Sequence, residues 1–281
     1  MAVVVHRERA EATELALDAV AWLEGEGHEV RVPEPEASVA GLARFAWPED
    51  GFARGLDLAV SVGGDGTMLR AVDLVGAAGV PVLGVHGGHL GYLTEVEPPG
   101  LHAALGRFFA GDHGIEERMT LEVAVEGGPG PAAARMALNE AWLEKIERGH
   151  TVRIAVSLGG RSFLTYVADG LIVATATGST AYNLSARGPI LSPGLRALVL
   201  TPVSPHMLFD RSLVLDPSEP VRLELLDGRP ANLFADGRPV ATLESGQAVT
   251  CRAGRHAARL VTFGHRQFHG ILKAKFGLAG G

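Results

Sequence analysis

Hydrophobic and polar positions in the first hundred residues alternate between strand-like runs and a helical period. Residues 8–24 place Leu15, Ala19, Trp22 and Leu23 at helical spacing with acidic residues on the opposite face, which predicts an amphipathic helix. Strand, helix and strand in repeated order indicate a parallel sheet with helices on its faces. The predicted strands cover 3–5, 28–32, 56–62 and 80–85, and a second helix is predicted over 67–78.

The pattern changes after about residue 118, where short runs of Val, Leu, Ile and Thr alternate with glycine turns. Gly159-Gly160 and Asp236-Gly237 each separate two such runs, as is typical of tight hairpins. We therefore predict a β-rich second half and a helical segment over 265–276. The predicted domains are an α/β domain over 1–115, a β-rich domain over 116–264, and a C-terminal segment over 265–281 that packs back on the first domain.

Composition and charge exclude several function classes. The 281 residues carry 25 Lys and Arg against 32 Asp and Glu, a formal charge of −7, so there is no basic excess to bind nucleic acid. The single cysteine, Cys251, cannot form an internal disulfide, and no secretory signal is expected. The longest apolar stretch, over 74–85, is too short to span a bilayer. We expect a cytoplasmic protein with neither nucleic acid nor membrane as a partner.

The first candidate site is Gly63-Gly64-Asp65-Gly66-Thr67, between a predicted strand and a predicted helix. Glycines let the backbone approach a ligand closely, and a helix N-terminus favours a phosphate. A carboxylate beside phosphates is repulsive unless it binds a metal ion or accepts a proton, so Asp65 is a candidate catalytic residue. The alternative is a plain turn in which Asp65 or Thr67 caps the helix. The motif is neither a Walker P-loop nor a dinucleotide fingerprint.

Two segments of the β-rich half carry further candidate residues. Asn139-Glu140 offers a donor and several acceptors suited to ribose hydroxyls, although an exposed polar pair is the alternative. The tract over 169–185 ends an apolar strand in small hydroxyl residues, which leave room for a planar ligand, and Tyr182 supplies a stacking face. The alternative here is a strand-to-helix junction that Ser179 or Thr180 caps.

Taken together, these motifs resemble the NAD kinase family in order and spacing. The resemblance implies an α/β domain followed by a β-sandwich-like domain. It also implies a kinase that transfers a phosphoryl group from ATP, or from inorganic polyphosphate, to the 2′-hydroxyl of the adenosine ribose of NAD. The motifs that carry it are Gly63-Gly64-Asp65-Gly66-Thr67, Gly87-Gly88-His89-Leu90-Gly91-Tyr92, Asn139-Glu140, Asp169-Gly170, Thr177-Gly178-Ser179-Thr180-Ala181-Tyr182, and Thr201-Pro202-Val203-Ser204-Pro205-His206.

The resemblance also implies a role for each matched residue. Asp65 is the catalytic residue at the 2′-hydroxyl, Asp169 lies near the nicotinamide amide, and Tyr92 lies over the substrate. Mg²⁺ or another divalent cation is expected, held mainly through the phosphates, with no protein metal site. The implied phosphate and ATP loop is Gly63, Gly64, Gly66 and Thr67, and the implied NAD-binding residues are Asp65, Gly66, Tyr92, Asn139, Glu140, Asp169, Thr180, Ala181, Tyr182, Ser185 and His265.

Two positions depart from the family pattern. Ala176 stands where members often carry proline, and Val167 stands where many bacterial members carry arginine, so no contact of that arginine is expected here. Two other functions share part of this pattern. A lipid or sphingoid-type kinase carries the same glycine loop, and a non-catalytic NAD(H)-binding sensor would keep the pocket without phosphoryl transfer. The resemblance further implies a homodimer or homotetramer.

Overall fold

The computed structural model describes residues 1–39, 41–87, 91–127, 134–226, 228–264 and 267–278 of the chain. The chain divides into two compact units. Unit 1 comprises Met1–Glu117 together with Ala258–Gly281, and unit 2 comprises Arg118–Ala257. The last strand of the chain thus belongs to unit 1, whereas the sequence-based division placed it in the β-rich domain over 116–264.

The first part of the chain alternates strands and helices, as its hydrophobic pattern predicts. The helix predicted over 67–78 begins two residues earlier, at Asp65, and its end is a separate 3₁₀ turn over Gly76–Ala78. In chain order the elements are β1 (Ala2–Val5), α1 (Ala10–Gly25), β2 (Val32–Pro33), α2 (Glu34–Ala37), β3 (Ala46–Trp47), β4 (Ala59–Gly63), α3 (Asp65–Val75), β5 (Val82–His86), α4 (Leu101–Phe109) and β6 (Gly114–Arg118).

The rest of the chain is mostly strand. Within the described ranges the longest helix is α1, and no helix is long and apolar enough to cross a membrane. The remaining elements are β7 (Leu121–Glu126), β8 (Arg135–Ala137), β9 (Glu140–Lys145), β10 (Val152–Leu158), β11 (Arg161–Ala168), β12 (Gly170–Thr175), α5 (Tyr182–Ser185), β13 (Leu198–Val203), β14 (Leu213–Leu215), β15 (Val221–Leu225), β16 (Ala231–Ala235), β17 (Arg238–Leu243), β18 (Ala248–Ala253), β19 (Ala258–Thr262) and α6 (Phe268–Lys275).

Unit 1 is built on a five-stranded sheet in the order β1-β4-β5-β19-β6. The first four strands pair in parallel, with Val3 opposite Val60, Val60 opposite Leu83, and Leu260 opposite Val82. Every residue of β1, β4 and β5 is buried, as expected for a parallel sheet whose faces are covered by helices. The predicted α/β domain is therefore confirmed. Because β1 and β4 are parallel neighbours, the segments that follow them emerge at the same edge of the sheet.

Unit 2 is a sandwich of two six-stranded sheets, in which every described pairing is antiparallel. Their strand orders are β11-β10-β15-β18-β7-β8 and β14-β13-β12-β9-β16-β17. Leu143 and Val173 of the second sheet share one buried core with Ile154 and Leu223 of the first. The predicted Gly159-Gly160 hairpin joins β10 to β11, and both glycines have the positive φ angles, 55° and 79°, that a two-residue turn requires. The predicted β-rich domain is thus confirmed.

Tyr166, on β11, is fully buried in this core, and its hydroxyl has no hydrogen-bond partner among the described residues. Because a buried polar group without a partner costs ~1–3 kcal/mol, we expect Tyr166→Phe to stabilise unit 2 by about 1 kcal/mol, measured as a higher urea midpoint. Thr201→Val is the matched control and should destabilise, since the buried Thr201 hydroxyl contacts Asn183 at 2.7 Å and Ser212 at 2.9 Å. A lower midpoint for Tyr166→Phe would contradict this account.

Candidate active site

Asp65 is the first residue of α3 and is separated from the buried strand β4 by Gly64 alone. Its two carboxylate oxygens each accept one backbone hydrogen bond, from the N–H of Tyr92 and from that of Leu93, both at 2.9 Å. The N-cap of the helix is Gly64, and no side chain caps it. The capping alternative for Asp65 and Thr67 is therefore wrong. The carboxylate is held instead by a distant loop.

Gly91 completes this arrangement. A Cβ atom at Gly91 would lie 2.1 Å from the Oδ1 atom of Asp65, so no side chain fits between the loop and the carboxylate. This close approach explains why position 91 of the predicted segment Gly87–Tyr92 is a glycine. Gly88, His89 and Leu90 lie outside the described residues.

The start of α3 borders a cavity of about 280 Å³ in unit 1, to which Gly66 and Thr67 contribute. His6 and Arg7, which follow β1, also line it. The Nδ1 atom of His6 accepts the N–H of Glu8 at 3.3 Å. The first amides of a helix have no intrahelical acceptor. The Thr67 N–H donates to the Gly64 carbonyl at 3.0 Å and Glu8 also lines the cavity, so the donors that suit a phosphate come from the start of the helix, His6 and Arg7.

The sequence-based reasoning missed His6 and Arg7. A signal was present, because both follow a buried strand that the hydrophobic pattern predicts. In a parallel sheet such positions lie at the edge where ligands bind.

The ring of Tyr92 is partly covered by the C-terminal helix α6. The Nζ atom of Lys275 lies 4.9 Å from the ring centroid, and the ring of Phe268 lies 6.4 Å away between centroids. Partial burial, and then the nearby Asp65 carboxylate, raise the pKa of the Tyr92 hydroxyl. Tyr92 thus contacts the catalytic candidate through its backbone and the C-terminal segment through its ring.

Glu140 begins β9 in unit 2 and Asn139 directly precedes it; both are buried, so the exposed-pair alternative is wrong. Asp236, at the turn between β16 and β17, accepts the backbone N–H groups of Leu138 at 2.6 Å, Asn139 at 2.8 Å and Glu140 at 3.2 Å. The side-chain amide of Asn139 has no hydrogen-bond partner among the described residues. It remains available to a ligand.

Asp236 has a second role beyond the predicted turn. The Asp236-Gly237 pair was interpreted from sequence only as a hairpin signal, and its positive φ angles of 47° and 78° fit that use. The carboxylate, however, fixes a segment about a hundred residues earlier in the chain. No local sequence pattern signals that contact.

The carboxyl group of Glu140 has a strongly raised pKa. Burial, and next the negative charge of Asp236, raise its pKa to about 8, against a smaller lowering effect of the Tyr182 backbone N–H. Its Oε2 atom is buried without a hydrogen-bond partner in the described chain. Near neutral pH Glu140 is therefore largely a neutral carboxylic acid, which can donate as well as accept.

The predicted base-recognition tract lies beside this pair. Thr177–Thr180 forms a 3₁₀ turn after β12, and a Cβ atom at Gly178 would lie 2.1 Å from the Asn139 carbonyl oxygen. The N-cap of α5 is Ala181, and no side chain caps it, so the alternative of Ser179 or Thr180 as a capping residue is wrong. The Thr180 hydroxyl donates to the Thr177 carbonyl at 3.3 Å. The tract is thus packed directly against the Asn139 backbone.

Tyr182 belongs to an aromatic wall with Trp142 and Phe234. The Tyr182 and Trp142 rings are in T-shaped contact with centroids 5.2 Å apart, and Trp142 stacks on Phe234 at 4.9 Å. The pKa of the Tyr182 hydroxyl is raised by burial and then by the carboxylates of Glu144, Asp169 and Glu140. The negative charges of Asp169 and Glu140 thus act on the Tyr182 hydroxyl.

Asp169 forms an ion pair with Lys145, whose Nζ atom lies 2.5 Å from Oδ1. Ser185 is exposed and, with Tyr182, lines a cavity of about 580 Å³ in unit 2. His265 lies outside the described residues. In the described ranges there is no group of three or more His, Cys, Asp or Glu side chains placed to hold a metal ion.

The fold and these sites are typical of a nucleotide-binding kinase. The N-terminal domain profile of ATP-NAD kinases matches residues 48–113, and the C-terminal domain profile matches residues 138–263. The NAD kinase of Heliobacterium modesticaldum is 42% identical over 275 residues, which cover 97% of this chain and 96% of that protein. That of Leifsonia xyli is 39% identical over 258 residues, or 91% and 83% of the two chains. The chain therefore belongs to the NAD kinase family.

Two solved structures share the fold. Yeast NADH kinase complexed with NADH superimposes with a TM-score of 0.90 at 23% identity, covering all of this chain and 88% of that one. The NAD kinase of Archaeoglobus fulgidus in complex with ATP gives a TM-score of 0.74 at 23% identity, covering 99% of each chain. Both matches support the predicted two-part fold.

The raised pKa of Glu140 predicts how stability depends on pH. Between the ordinary value of 4.5 and the folded value of about 8, the folded protein keeps a proton that the unfolded chain has released, so this group's contribution falls as pH rises. We expect Glu140→Gln to reduce that loss, gaining about 1 kcal/mol or more over wild type between pH 5 and pH 8. Urea midpoints measured across this range test it. The exposed Glu147→Gln is the control, and a wild-type profile in Glu140→Gln would contradict the assignment.

Proposed function

We propose that this protein is an NAD kinase, which transfers the terminal phosphoryl group of ATP to the 2′-hydroxyl of the adenosine ribose of NAD and so forms NADP. The single observation that carries the proposal is the Asp65 carboxylate, held by two backbone amides beside the glycine loop. Family membership over most of the chain agrees with it. The comparisons favour neither the lipid-kinase alternative nor the sensor alternative.

Asp65 is the general base in this proposal. A carboxylate has about four lone-pair positions, and the two amide hydrogen bonds leave room to accept the proton of a ribose hydroxyl. A sugar hydroxyl is a weak nucleophile near neutral pH, so removal of its proton by a positioned carboxylate accelerates attack. The fixed rotamer of Asp65 supports this role, because a base that is already oriented loses little entropy on reaching the transition state.

The donor phosphates bind at the start of α3 in this proposal. The glycine loop of Gly63, Gly64, Gly66 and Thr67 leads into the helix there, and Gly66 and Thr67 line a cavity to which His6 and Arg7 add donors beside Glu8. Phosphoryl transfer has a loose transition state, so alignment and charge neutralisation supply most of the acceleration. Mg²⁺ or another divalent cation would neutralise the transferring oxygens. The nucleotide phosphates would mainly hold such an ion.

The dinucleotide binds through unit 2. Asn139 offers its free amide, and the neutral Glu140 offers a donor and an acceptor to the ribose and adenine. Tyr182 stacks on the base, with Thr180, Ala181 and Ser185 beside it, and Asp169 contacts the nicotinamide amide. Asp236 is a positioning residue in this scheme, because it holds the backbone of the Asn139-Glu140 pair.

The remaining expectations extend this proposal. We propose ATP as the donor, with inorganic polyphosphate as a second donor to be tested, and a cytoplasmic homodimer or homotetramer. The formal charge of −7 is consistent with small anionic substrates that bind through local donors rather than through a basic surface.

The deciding experiment incubates the purified protein with ATP, Mg²⁺ and NAD and measures NADP with an NADP-specific dehydrogenase. We expect NADP from the wild type and a kcat lower by ~10²-fold or more in Asp65→Asn, because asparagine lacks the base and turns an NH₂ group toward an amide donor. NAD binding by Asp65→Asn, measured calorimetrically, should be largely retained. No NADP from a wild type that still binds NAD would favour the sensor instead.

The close approach of Gly91 to Asp65 gives a second test. We expect Gly91→Ala to lower kcat by ~10²-fold, because the added methyl group must displace the carboxylate from its amide donors. Gly106→Ala is the matched control, since Gly106 is exposed on α4 with open space around it and should keep wild-type turnover. Wild-type kcat in Gly91→Ala would show that the observed carboxylate position is not the one used in catalysis.

A further inference from the structure

Arg187 occupies the position at the end of α5 that glycine usually fills. The N–H of Arg187 donates to the Leu184 carbonyl at 2.9 Å, and the N–H of Gly188 donates to the Asn183 carbonyl at 2.8 Å. This pair of bonds is the Schellman motif, which needs a left-handed residue one position beyond the cap. Arg187 is that residue, with a φ of 64°.

Arginine is energetically unfavourable in this left-handed backbone conformation. A residue with a Cβ atom is strained in the left-handed region, whereas glycine is not. The Arg187 side chain is exposed and forms no hydrogen bond or ion pair with the described residues, so no contact within the unit offsets the strain. Strained residues of this kind concentrate at binding sites, where a ligand uses the side chain.

The cavity of about 580 Å³ in unit 2 shows where the side chain could be used. Arg187 lines it together with Tyr182 and Ser185, two residues assigned above to NAD. Ser204 lines it as well and is a second strained residue, with a φ of 44°. Two of the three described non-glycine residues with positive φ therefore lie on one cavity.

The charges of the cavity favour an anion. Arg211 and Asp210 also line it, and the Nε atom of Arg211 lies 3.4 Å from Oδ1 of Asp210, so these two charges offset each other. The positive charge of Arg187 has no such counterpart among the described residues. A guanidinium group presents a planar fork of donors that matches phosphate oxygens.

We propose that Arg187 binds the pyrophosphate of the dinucleotide substrate in this cavity, while Tyr182 contacts the adenine. The proposal rests on the proposed function and adds a residue that determines affinity for the acceptor. The pyrophosphate of NAD is joined directly to the adenosine ribose, so a cation beside the adenosine contacts lies within its reach. The donor phosphates, by contrast, bind at the glycine loop of unit 1.

Three substitutions test this role without unfolding the helix end. Arg187→Gly and Arg187→Asn remove the charge and suit the left-handed backbone, and Arg187→Lys keeps the charge. We expect the first two to raise the Kd and the KM for NAD about tenfold, with kcat and the KM for ATP unchanged, and Arg187→Lys to recover part of the loss. Arg196→Gln, an exposed arginine of unit 2 outside the cavity, is the matched control.

Adenosine separates the pyrophosphate contact from any general damage to the pocket. Because adenosine carries no phosphate, its inhibition constant against NAD should be the same in wild type and Arg187→Gly. A rise in melting temperature of Arg187→Gly with unchanged NAD affinity would overturn the proposal and make Arg187 only a tolerated helix-end residue. A rise in the KM for ATP alone would also overturn it, because Arg187 would then bind the phosphates of the donor rather than those of NAD.

The Kd for NAD is measured by calorimetry without turnover. A wild type that makes no NADP would therefore refute the kinase function separately.

Discussion

Hydrogen bonds from backbone amides to two carboxylates hold both sets of candidate residues in place. Asp65 accepts from Tyr92 and Leu93 in unit 1, and Asp236 accepts from three successive amides that begin at Leu138 in unit 2. Hydrogen bonds to an ionised acceptor are stronger than those between neutral groups. Each carboxylate holds a segment that lies far away in the chain, so the candidate side chains are oriented by tertiary contacts rather than by their own loops.

Burial gives the carboxyl groups of Asp65 and Glu140 different chemistry. Asp65 is partly exposed and retains acceptor capacity, which suits a base. Glu140 is buried beside Asp236, and the cost of a second charge there favours its protonated form near neutral pH. A carboxyl group thus keeps acceptor capacity in one unit and is mainly protonated near neutral pH in the other, because the surroundings differ.

Local donors explain how an acidic chain can bind anionic nucleotides. The formal charge of −7 is distributed over the whole molecule, whereas Gly66, His6 and Arg7 line one local cavity and Arg187 lines another. Backbone strain accompanies this arrangement. The described non-glycine residues with positive φ are Arg187, Ser204 and Asp236, and each lines the unit 2 cavity or supports the Asn139-Glu140 pair. The surrounding sheets and turns maintain these conformations.

The sequence alone determined the alternation of strands and helices, the Gly159-Gly160 hairpin and the motifs that contain Asp65, Asn139 and Tyr182. These features depend on hydrophobic period, turn chemistry and residue type, all of which are local. Only the tertiary structure decided that β19 pairs with β5, that Asp236 fixes β9, and that His6 lies beside the glycine loop. Parallel pairing and contacts between distant segments depend on which apolar faces pack together across the whole chain, and no short window of sequence contains that information.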